Sequence, residues 1–365
     1  MTKLIKIETG CDMPDGIYQN TELPEDRYHE IPRASQTLFK AAANSPMLAW
    51  AQSWMNPAKH SMDTEAKKSG RAYHKYILEG AEAFNENYAP YLDKSDYPDA
   101  LDTVQDMINW LQEKKLAVPK GRAKKEEYIQ MVMRHPERPV IWDQKKKDHE
   151  IDHGHKEFLK STIINDIQLA AKTIELDKHA NKSVTSGCAE VSILYHVDVP
   201  EIDGSETVYR IPCKARLDYL KTQTLTDLKS FSLNSNETLK KTITKQIGNY
   251  RYNVQVASYM QAWSNALPLI SEKRIIGDDK FIMYVKECAK REKAFFFLFQ
   301  TRGLPVSQLY QFPLDGIAYS AGKHVLHEGQ INFCRNYDTF GHDPWINTDE
   351  PEMLADEDFP PWMFE

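Results

Sequence analysis

Two segments in the second half of the chain carry acidic and basic side chains at alternate positions. The first contains Lys214, Arg216 and Asp218, and the second contains Asp227 and Lys229. Alternate side chains of a strand point to the same face, so each set shares one face if its segment is extended. Carboxylates on neighbouring strands can hold Mg²⁺, which takes one or two carboxylates together with waters and a substrate phosphate. The pattern therefore indicates metal-dependent cleavage of a phosphodiester, with Lys229 orienting or deprotonating the attacking water.

The same pattern also fits a simpler interpretation. In a chain with 27% charged residues, Asp-x-Lys triplets arise by chance, and a solvated strand face shows the same alternation. The pair Asp227 and Lys229 alone does not decide between the two interpretations. The prediction of a site therefore depends on the surrounding residues.

A third acidic residue lies in a segment predicted as a strand over 188–197. The apolar residues of this segment occupy alternate positions, which places Glu190 and Ser192 on the opposite side, next to Asp218. Glu190 is either a third acidic ligand or an exposed charge at the end of the strand. The sequence leaves both roles open.

Further candidates lie on predicted helices. Arg251, Gln255 and Tyr259 recur every four residues, so they share one face of a long helix predicted over 239–263. This polar stripe could reach phosphate oxygens, or it could be an ordinary half-buried helix surface. His74 lies in a helix predicted over 64–79, where it is either a metal ligand or a hydrogen-bonded histidine at the edge of the core.

Composition limits the class of protein. A chain of 365 residues with 41% hydrophobic residues can form one large globular domain or two ordinary ones. No apolar run approaches the ~18 residues of a membrane span and the N-terminus lacks a signal-peptide core, so we expect a cytoplasmic protein without membrane contact. The five cysteines have no metal-ligand spacing, which predicts reduced thiols. The formal charge of −7 describes the whole surface and leaves room for a local basic groove.

The candidate residues depend on a predicted order of elements. Helices are predicted after Ser35, which would be an N-cap, and over 64–79 and 239–263, whereas residues 1–30 look irregular. Residues 82–180 look polar and helix-prone, without convincing strands. Strands are predicted over 188–197, 207–220, 224–230, 281–287 and 294–300. This order predicts α/β or α+β layers around a mixed sheet.

Five short patterns that carry candidate residues follow one another along the chain. They are Gly70-x-x-x-His74, Glu190, Asp218, Asp227-x-Lys229 and Gln255-x-x-x-Tyr259. In this order they resemble the RecB-type branch of the PD-(D/E)xK nucleases. The blocks at 35–46, 69–80 and 252–259 resemble the phage RecE-like exonucleases, also called exodeoxyribonuclease VIII. The resemblance covers about residues 30–80 and 185–335.

The resemblance implies an α/β fold with a restriction-endonuclease-like core, in which helices flank a central mixed sheet. It implies that His74, Asp218 and Asp227 hold one or two Mg²⁺ ions, for which Mn²⁺ could substitute, with the carbonyl of Leu228 as a further ligand. Lys229 would serve the nucleophilic water. The second acid, Asp227, stands where the family more commonly has Glu.

The resemblance also implies roles for the remaining candidates. Glu190 would help to position the metal or the water, and Gln255 and Tyr259 would contact DNA near the scissile phosphate. Arg251, on the same predicted helix face, would be a further DNA contact.

A basic hairpin is predicted within the region that has no counterpart among these patterns. Residues 103–132 read as helix, extended loop and helix, with apolar positions 104, 107, 111, 128 and 131 forming a small core. The loop carries Lys114, Lys115, Lys120, Arg122, Lys124 and Lys125. It is similar to a SAP-type DNA-binding motif at about 101–135, which implies sequence-independent, salt-sensitive phosphate contacts. A solvated basic loop is the alternative.

Four parts of the chain follow from these assignments. They are a helical part of the nuclease core carrying the motif histidine (1–81), a helical insertion (82–180), the main nuclease core (181–337) and an acidic, aromatic tail (338–365). The tail is predicted to be extended, with aromatic anchors such as Trp345, Phe359, Trp362 and Phe364 that would dock on another protomer or a partner.

The sequence and the resemblance together predict a Mg²⁺-dependent exonuclease. Its substrate would be linear double-stranded DNA degraded from the 5′ ends, in a phage or prophage recombination system. The resemblance implies a homo-oligomeric ring around DNA and a RecT-like single-strand annealing protein as partner. Two alternatives stay open: a RecB-like endonuclease or single-strand nuclease, and a non-catalytic DNA-binding or annealing accessory protein.

Overall fold

The chain forms an α/β structure with a large mixed sheet flanked by helices. The computed structural model describes residues 3–59, 64–119, 123–202, 204–233, 236–304, 306–346, 353–360 and 363. The chain divides into two compact units. The first, which we call the sheet unit, comprises Met1–Asp63, His179–Phe299 and Gln308–Glu365. The second, which we call the helical unit, comprises Thr64–Lys178 and Gln300–Ser307. No helix in the described part of the chain is long and apolar enough to span a bilayer.

The strands, in chain order, are β1 Lys3–Lys6, β2 Gly16–Tyr18, β3 Tyr88–Pro90, β4 Glu157–Leu159, β5 Cys188–Pro200, β6 Thr207–Leu220, β7 Thr224–Phe231, β8 Ile275–Ile276, β9 Ala294–Thr301 and β10 Ser307–Phe312. The main sheet has the order β10-β9-β7-β6-β5-β2-β8, and β1 adds to β6 in parallel. Strands β5, β6 and β7 form an antiparallel meander at its centre.

The helices are α1 Glu25–Glu30, α2 Gln36–Asn44, α3 Pro46–Gln52, α4 Glu65–His74, α5 Ala81–Asn87, α6 Val104–Glu113, α7 Lys125–Met133, α8 Trp142–His153, α9 Ser161–Leu176, α10 Lys178–Ser183, α11 Leu239–Asn249, α12 Tyr252–Ser271, α13 Asp279–Cys288 and α14 Ile317–Phe340. A π-helical turn, Lys75–Glu79, continues α4, and two 3₁₀ turns cover Lys94–Asp96 and Asp356–Asp358. The helices predicted after Ser35 and over 64–79 are confirmed, with Ser35 and Thr64 at their N-cap positions.

The alternation predicted for β6 is confirmed, and both of its faces are buried. Its apolar face, which includes Cys213 and Leu217, belongs to the hydrophobic core. On the polar face, Lys214 donates to the carbonyl oxygens of residues 28, 29 and 31 at 2.8, 3.2 and 2.8 Å. Arg216 donates to Ser192 Oγ at 2.8 Å and to the Leu23 carbonyl at 3.0 Å. Buried charges need such partners, so the segment around α1 is tied to the sheet.

Three predictions about the elements are wrong. Residues 281–287 are not a strand but part of α13, where Asp278 caps the helix by accepting from the Phe281 N–H at 2.7 Å. The buried residues Phe281, Val285 and Cys288 have helical spacing, which outweighs their β propensity. The region 1–30 contributes two strands, and 82–180 contains the short parallel pair β3–β4. These strands pair with distant residues, so local sequence gave no signal.

The predicted helix over 239–263 is two helices. It breaks between α11 and α12 at Arg251, whose φ of 49° and ψ of 50° lie in the left-handed region. A non-glycine residue in this region interrupts the helical hydrogen-bond ladder and turns the chain. Helix α12 then packs on the apolar face of the sheet through residues such as Val254 and Ala262.

Helix α14 approaches two neighbouring helices through glycines on one face. A Cβ atom on Gly329 would lie 2.1 Å from the carbonyl oxygen of Phe39 in α2. A Cβ atom on Gly322 would lie 2.3 Å from the carbonyl oxygen of Asn253 in α12. Both obstacles are backbone atoms, which cannot rotate away as a side chain can. The spacing of α2 and α12 from α14 is therefore set by the absence of side chains at these two positions.

We predict that Gly329→Ala lowers the free energy of unfolding by about 3 kcal/mol, because the added methyl must push α2 away from α14. Gly248→Ala is the matched control, since a Cβ there meets no atom within 4 Å in α11. Alanine favours a helix interior, so this control should gain about 0.5–1 kcal/mol. Urea denaturation followed by circular dichroism measures both, and equal stability of the two variants would contradict the close approach.

Candidate active site

Asp218 and Asp227 lie close together on adjacent strands of the central meander. The β6–β7 pairing includes Tyr219 with Thr226, and Asp218 and Asp227 are the residues next to that pair. Both carboxylates act on the buried Lys229. Both carboxylates are buried, and Asp227 has an exposed fraction of 0%. Asp218 Oδ2 accepts a hydrogen bond from the backbone N–H of Leu228 at 2.8 Å. Two acids from neighbouring strands therefore meet at one place, as the sequence predicts.

Lys229 compensates the charge of Asp227. Its Nζ lies 2.5 Å from Asp227 Oδ2, and the two side chains share the face of β7. Opposite charges at this distance form a strong, charge-assisted contact. Lys229 is therefore the direct partner of Asp227 Oδ2.

The environment keeps Lys229 protonated. Burial is the largest influence on this amine and acts to lower its pKa, but the attraction of Asp227 and Asp218 outweighs burial, so the pKa of Lys229 is raised. The ammonium also lies 5.1 Å from the centre of the Tyr252 ring, a cation–π contact. Lys229 is therefore a fixed positive charge at neutral pH and a poor base.

Gln255 and Tyr259 form a layer behind the carboxylates. Gln255 Nε2 donates to Asp227 Oδ1 at 2.8 Å and lies 3.1 Å from Tyr259 Oη. Burial raises the pKa of the Tyr259 phenol well above its usual value, and Asp218 and Asp227 raise it further. Both side chains are buried. Their contacts hold the Asp227 carboxylate in place from helix α12.

The sequence predicts that Arg251 shares a helix face with Gln255 and Tyr259, and this prediction is wrong. Arg251 is the left-handed residue before α12, and its side chain is exposed. The i, i+4 relation requires a continuous helix, which the break at this residue removes. Arg251 remains near the site, since its charge acts on Lys40 in α2.

Glu190 forms an ion pair with Arg216. Its Oε2 accepts from Arg216 Nε at 2.7 Å, and both side chains are largely buried. Glu190 has a φ of 54°, a strained conformation for a strand residue that is not glycine. The carboxylate therefore serves first to neutralise Arg216 on the polar face of the sheet. Within the part of the chain that the structure describes, no three His, Cys, Asp or Glu side chains form a metal-ligand group.

Lys40 is a functional candidate that the sequence analysis missed. It lies on α2, and its Nζ donates to the carbonyl oxygen of Tyr250 at 3.3 Å. The pKa of Lys40 is lowered to about 8, chiefly by burial and then by the charge of Lys229, with Asp227 acting in the opposite direction. In the sequence Lys40 is a single cation among alanines, so only the fold places it beside the carboxylates.

The residues of the sheet unit fit a bound Mg²⁺. This cation takes oxygen ligands and keeps several waters, so two carboxylates are a sufficient protein contribution. Asp218 and Asp227 supply them, and both are buried. Leu228, whose carbonyl is the predicted further ligand, directly follows Asp227 in β7. A metal would also relieve the repulsion of two neighbouring buried carboxylates that share one lysine.

His74 belongs to the helical unit. It is the last residue of α4 and directly precedes the π-helical turn Lys75–Glu79, which Lys75 and Glu79 brace with a 2.9 Å ion pair. Single π-helical turns inside α-helices are often found at functional sites. The role of His74 as a ligand stays a prediction.

The basic hairpin of the helical unit has the predicted core. Met107, Leu111, Tyr128 and Val132 are buried together between α6 and α7. Lys125 forms an ion pair with Asp143 at 2.5 Å. Lys125 and Lys146 together lower the pKa of Asp143 to about 2.

The other loop cations differ in their surroundings. Lys114 pairs with Glu137 at 2.6 Å, whereas Lys124 is exposed at the start of α7. Lys120 and Arg122 lie outside the described residues. DNA binding by this hairpin stays a prediction, and two of its cations already have acidic partners.

The acidic tail does not begin at 338 as an extended segment. Helix α14 continues to Phe340, and Trp345 is buried against Phe333 with ring centres 5.5 Å apart. The indole of Trp50 donates to the His342 carbonyl at 3.0 Å. Residues 341–346 therefore dock on the sheet unit of the same chain, because Trp345 completes its core. Trp362 and Phe364 lie outside the described residues.

Comparisons with known proteins give no family for this chain. No family model matches it, and no curated protein does. A solved structure entitled "Crystal structure of SSO0001" is similar over 64% of this chain and 87% of that chain, with 11% identity and a TM-score of 0.23. At that score the likeness carries no argument about fold or function.

We predict that the pKa of Lys40 reports the charges of the site. Replacing Lys229 by Met removes a cation and should raise the pKa of Lys40 above about 8, whereas Asp227→Asn removes an anion and should lower it. Reductive ¹³C-methylation and NMR titration measure this pKa, and Lys40→Arg assigns the signal. Lys293, which burial also brings to a pKa of about 8, is the control that neither change should move. A Lys40 signal that titrates identically in all variants would place it away from the carboxylates.

Proposed function

We propose that the protein is a Mg²⁺-dependent exonuclease that degrades linear double-stranded DNA from its ends. The observation that carries the proposal is the meeting of Asp218 and Asp227 on neighbouring strands, with Lys229 at 2.5 Å from Asp227. The proposal includes a restriction-endonuclease-like core formed by the meander and helix α12. It accounts for two buried acids that a merely structural sheet would not need, since burying charge is costly.

Each residue of the site would have its own role in phosphodiester hydrolysis. Asp218 and Asp227 would hold the cation, which supplies an acidified water and neutralises charge on the phosphate. Gln255 would fix the Asp227 carboxylate through its 2.8 Å hydrogen bond, and Tyr259 would keep that amide in place. Lys229, held protonated by both acids, would donate to the water or to a phosphate oxygen and stabilise the developing negative charge.

The cations near the carboxylates also support a phosphate-bearing substrate. Lys229 and Arg251 both act electrostatically on Lys40, and Lys229 forms an ion pair with Asp227. Such a group of cations attracts a polyanion. The 5′-to-3′ direction, the ring-shaped oligomer and the RecT-like annealing partner belong to the proposal through the resemblance of the sequence motifs.

An end-dependence assay tests the function. The purified protein is incubated with Mg²⁺ and three DNA forms: end-labelled linear duplex, duplex with hairpin-blocked ends and covalently closed circles. Release of nucleotides from free ends alone, abolished by EDTA, is the expected result. Cleavage of the circles would favour an endonuclease, and annealing of strands without nucleotide release would favour an accessory protein.

We predict that Asp227→Asn and Lys229→Met each reduce nucleotide release by about 10³-fold or more, because each removes a group that acts on the reacting phosphate. Asp198→Asn is the control, since Asp198 on β5 forms an exposed ion pair with Arg210 on β6 at 2.7 Å. Release is measured at saturating DNA. Activity near that of the unmodified protein in either site variant would exclude the catalytic assignment.

The basic hairpin generates a separate prediction. Replacing Lys120, Arg122, Lys124 and Lys125 by Gln should weaken binding to all duplex sequences alike and reduce the slope of log affinity against log salt by up to ~0.9 per lost phosphate contact. Lys125→Gln alone should change the slope least, because Asp143 already neutralises it. Fluorescence anisotropy over a salt series gives the slopes, and an unchanged slope in the fourfold variant would leave the hairpin as a solvated surface.

A further inference from the structure

An aromatic stack runs from the core to the surface beside the carboxylates. Tyr252 lies on Phe297 and Phe299, with ring centres 5.8 and 6.4 Å apart, and both phenylalanines are fully buried. Tyr250 stacks on Tyr252 at 5.6 Å with an angle of 18° between the ring planes. The ring of Tyr250 is the outermost member of this stack.

The outermost ring is open to solvent and held in place. Tyr250 has an exposed fraction of 57%, although one face of its ring stacks on Tyr252. Its backbone is fixed by the left-handed turn at Arg251 and by Lys40, which donates to its carbonyl oxygen at 3.3 Å. The tyrosine therefore offers a flat surface whose orientation is set before any ligand arrives.

The charges around the stack select the ligand. Tyr252, the next ring inward, lies 5.1 Å from the Lys229 ammonium, so the stack adjoins the candidate catalytic group directly. Arg251 and Lys40 add two further cations beside Tyr250. A ligand that suits both features has a flat π-face and a negative charge next to it. A nucleotide has both, whereas a hydrophobic peptide lacks the anion and free phosphate lacks the ring.

We propose that Tyr250 is a stacking platform for the base of the strand-end nucleotide whose phosphate lies at Asp218 and Asp227. The inference rests on the proposed function and adds the way in which the substrate is gripped. Aromatic stacking tolerates every base because each has a π-face, so the platform suits an enzyme that must cleave successive nucleotides of any sequence. A terminal base exposes one π-face without leaving its pair, so the platform suits a strand end rather than an internal position of a duplex.

A fluorescent base tests the platform. Oligonucleotides with 2-aminopurine at the terminal or one of the next three positions are bound to the protein with Ca²⁺ in place of Mg²⁺, and gels confirm that the strands stay intact. The unmodified protein and Tyr250→Phe should quench one position, because either ring can stack on it. Tyr250→Leu should abolish this quenching and weaken binding about five- to 150-fold.

A matched control exists in the helical unit. Tyr91 has an exposed fraction of 48% and stacks on Phe158 at 5.7 Å, so Tyr91→Leu removes a similar ring from a different place. This control should keep both the quenching and the affinity. Quenching and affinity that are the same in Tyr250→Leu as in the unmodified protein would overturn the platform.

The two proposals can fail separately. If the unmodified protein releases no nucleotides with Mg²⁺ but still shows Tyr250-dependent quenching, the platform stands as a nucleotide site and the exonuclease proposal fails. If the unmodified protein degrades DNA ends while Tyr250→Leu binds and quenches normally, the exonuclease proposal stands and the platform is overturned.

Discussion

The burial of charge on the polar face of the central meander is the constraint from which the arrangement of the sheet unit follows. Five ionisable side chains, at 190, 214, 216, 218 and 227, lie at or near that face with little exposure to solvent. Each would be costly without a partner. The structure supplies partners from three directions: carbonyls of the segment around α1, the amide of Gln255 on α12, and Lys229 on the same strand as Asp227.

These partners divide the polar face into two functional halves. At Lys214 and Arg216 the charges are fully engaged with backbone carbonyls, Ser192 and Glu190, which fixes the N-terminal segment on the sheet. At Asp218 and Asp227 the partners include the Leu228 N–H, the Gln255 amide and Lys229. The first half stabilises the fold, and the second half holds the two carboxylates that the proposed function assigns to a cation.

The pattern of alternate charges in β6 and β7 was sufficient to predict the pair of acids and its lysine. Period-two alternation determines which side chains share a face, and a short connection between two strands brings their faces together. The role of Glu190 could not be predicted in the same way. Whether it binds a cation or Arg216 depends on side-chain distances of a few ångströms and on a strained φ, and neither is encoded in the spacing.

The errors in the predicted elements also have physical causes. Asp278 and the spacing of Phe281 and Val285 did carry a helix signal, but aromatic and β-branched residues obscured it. Gly248 and Asn249, residue types that often end a helix, precede the break at the left-handed Arg251, but the apolar residues that follow favoured one continuous helix. Lys40 could not be found from sequence, because the distance between α2 and the sheet is a tertiary property.

Helix α14 contributes no residue to the candidate site, yet it determines the dimensions of that site. Gly322 and Gly329 are two helical turns apart on one side of α14, and they touch the backbones of the helices that carry Gln255 and Lys40. Helices α2 and α12 are therefore both positioned by their contact with α14. The position of α14 therefore fixes the distances of Lys40 from Lys229 and Asp227. A shift of α14 would change the pKa of Lys40 without altering any residue of the site.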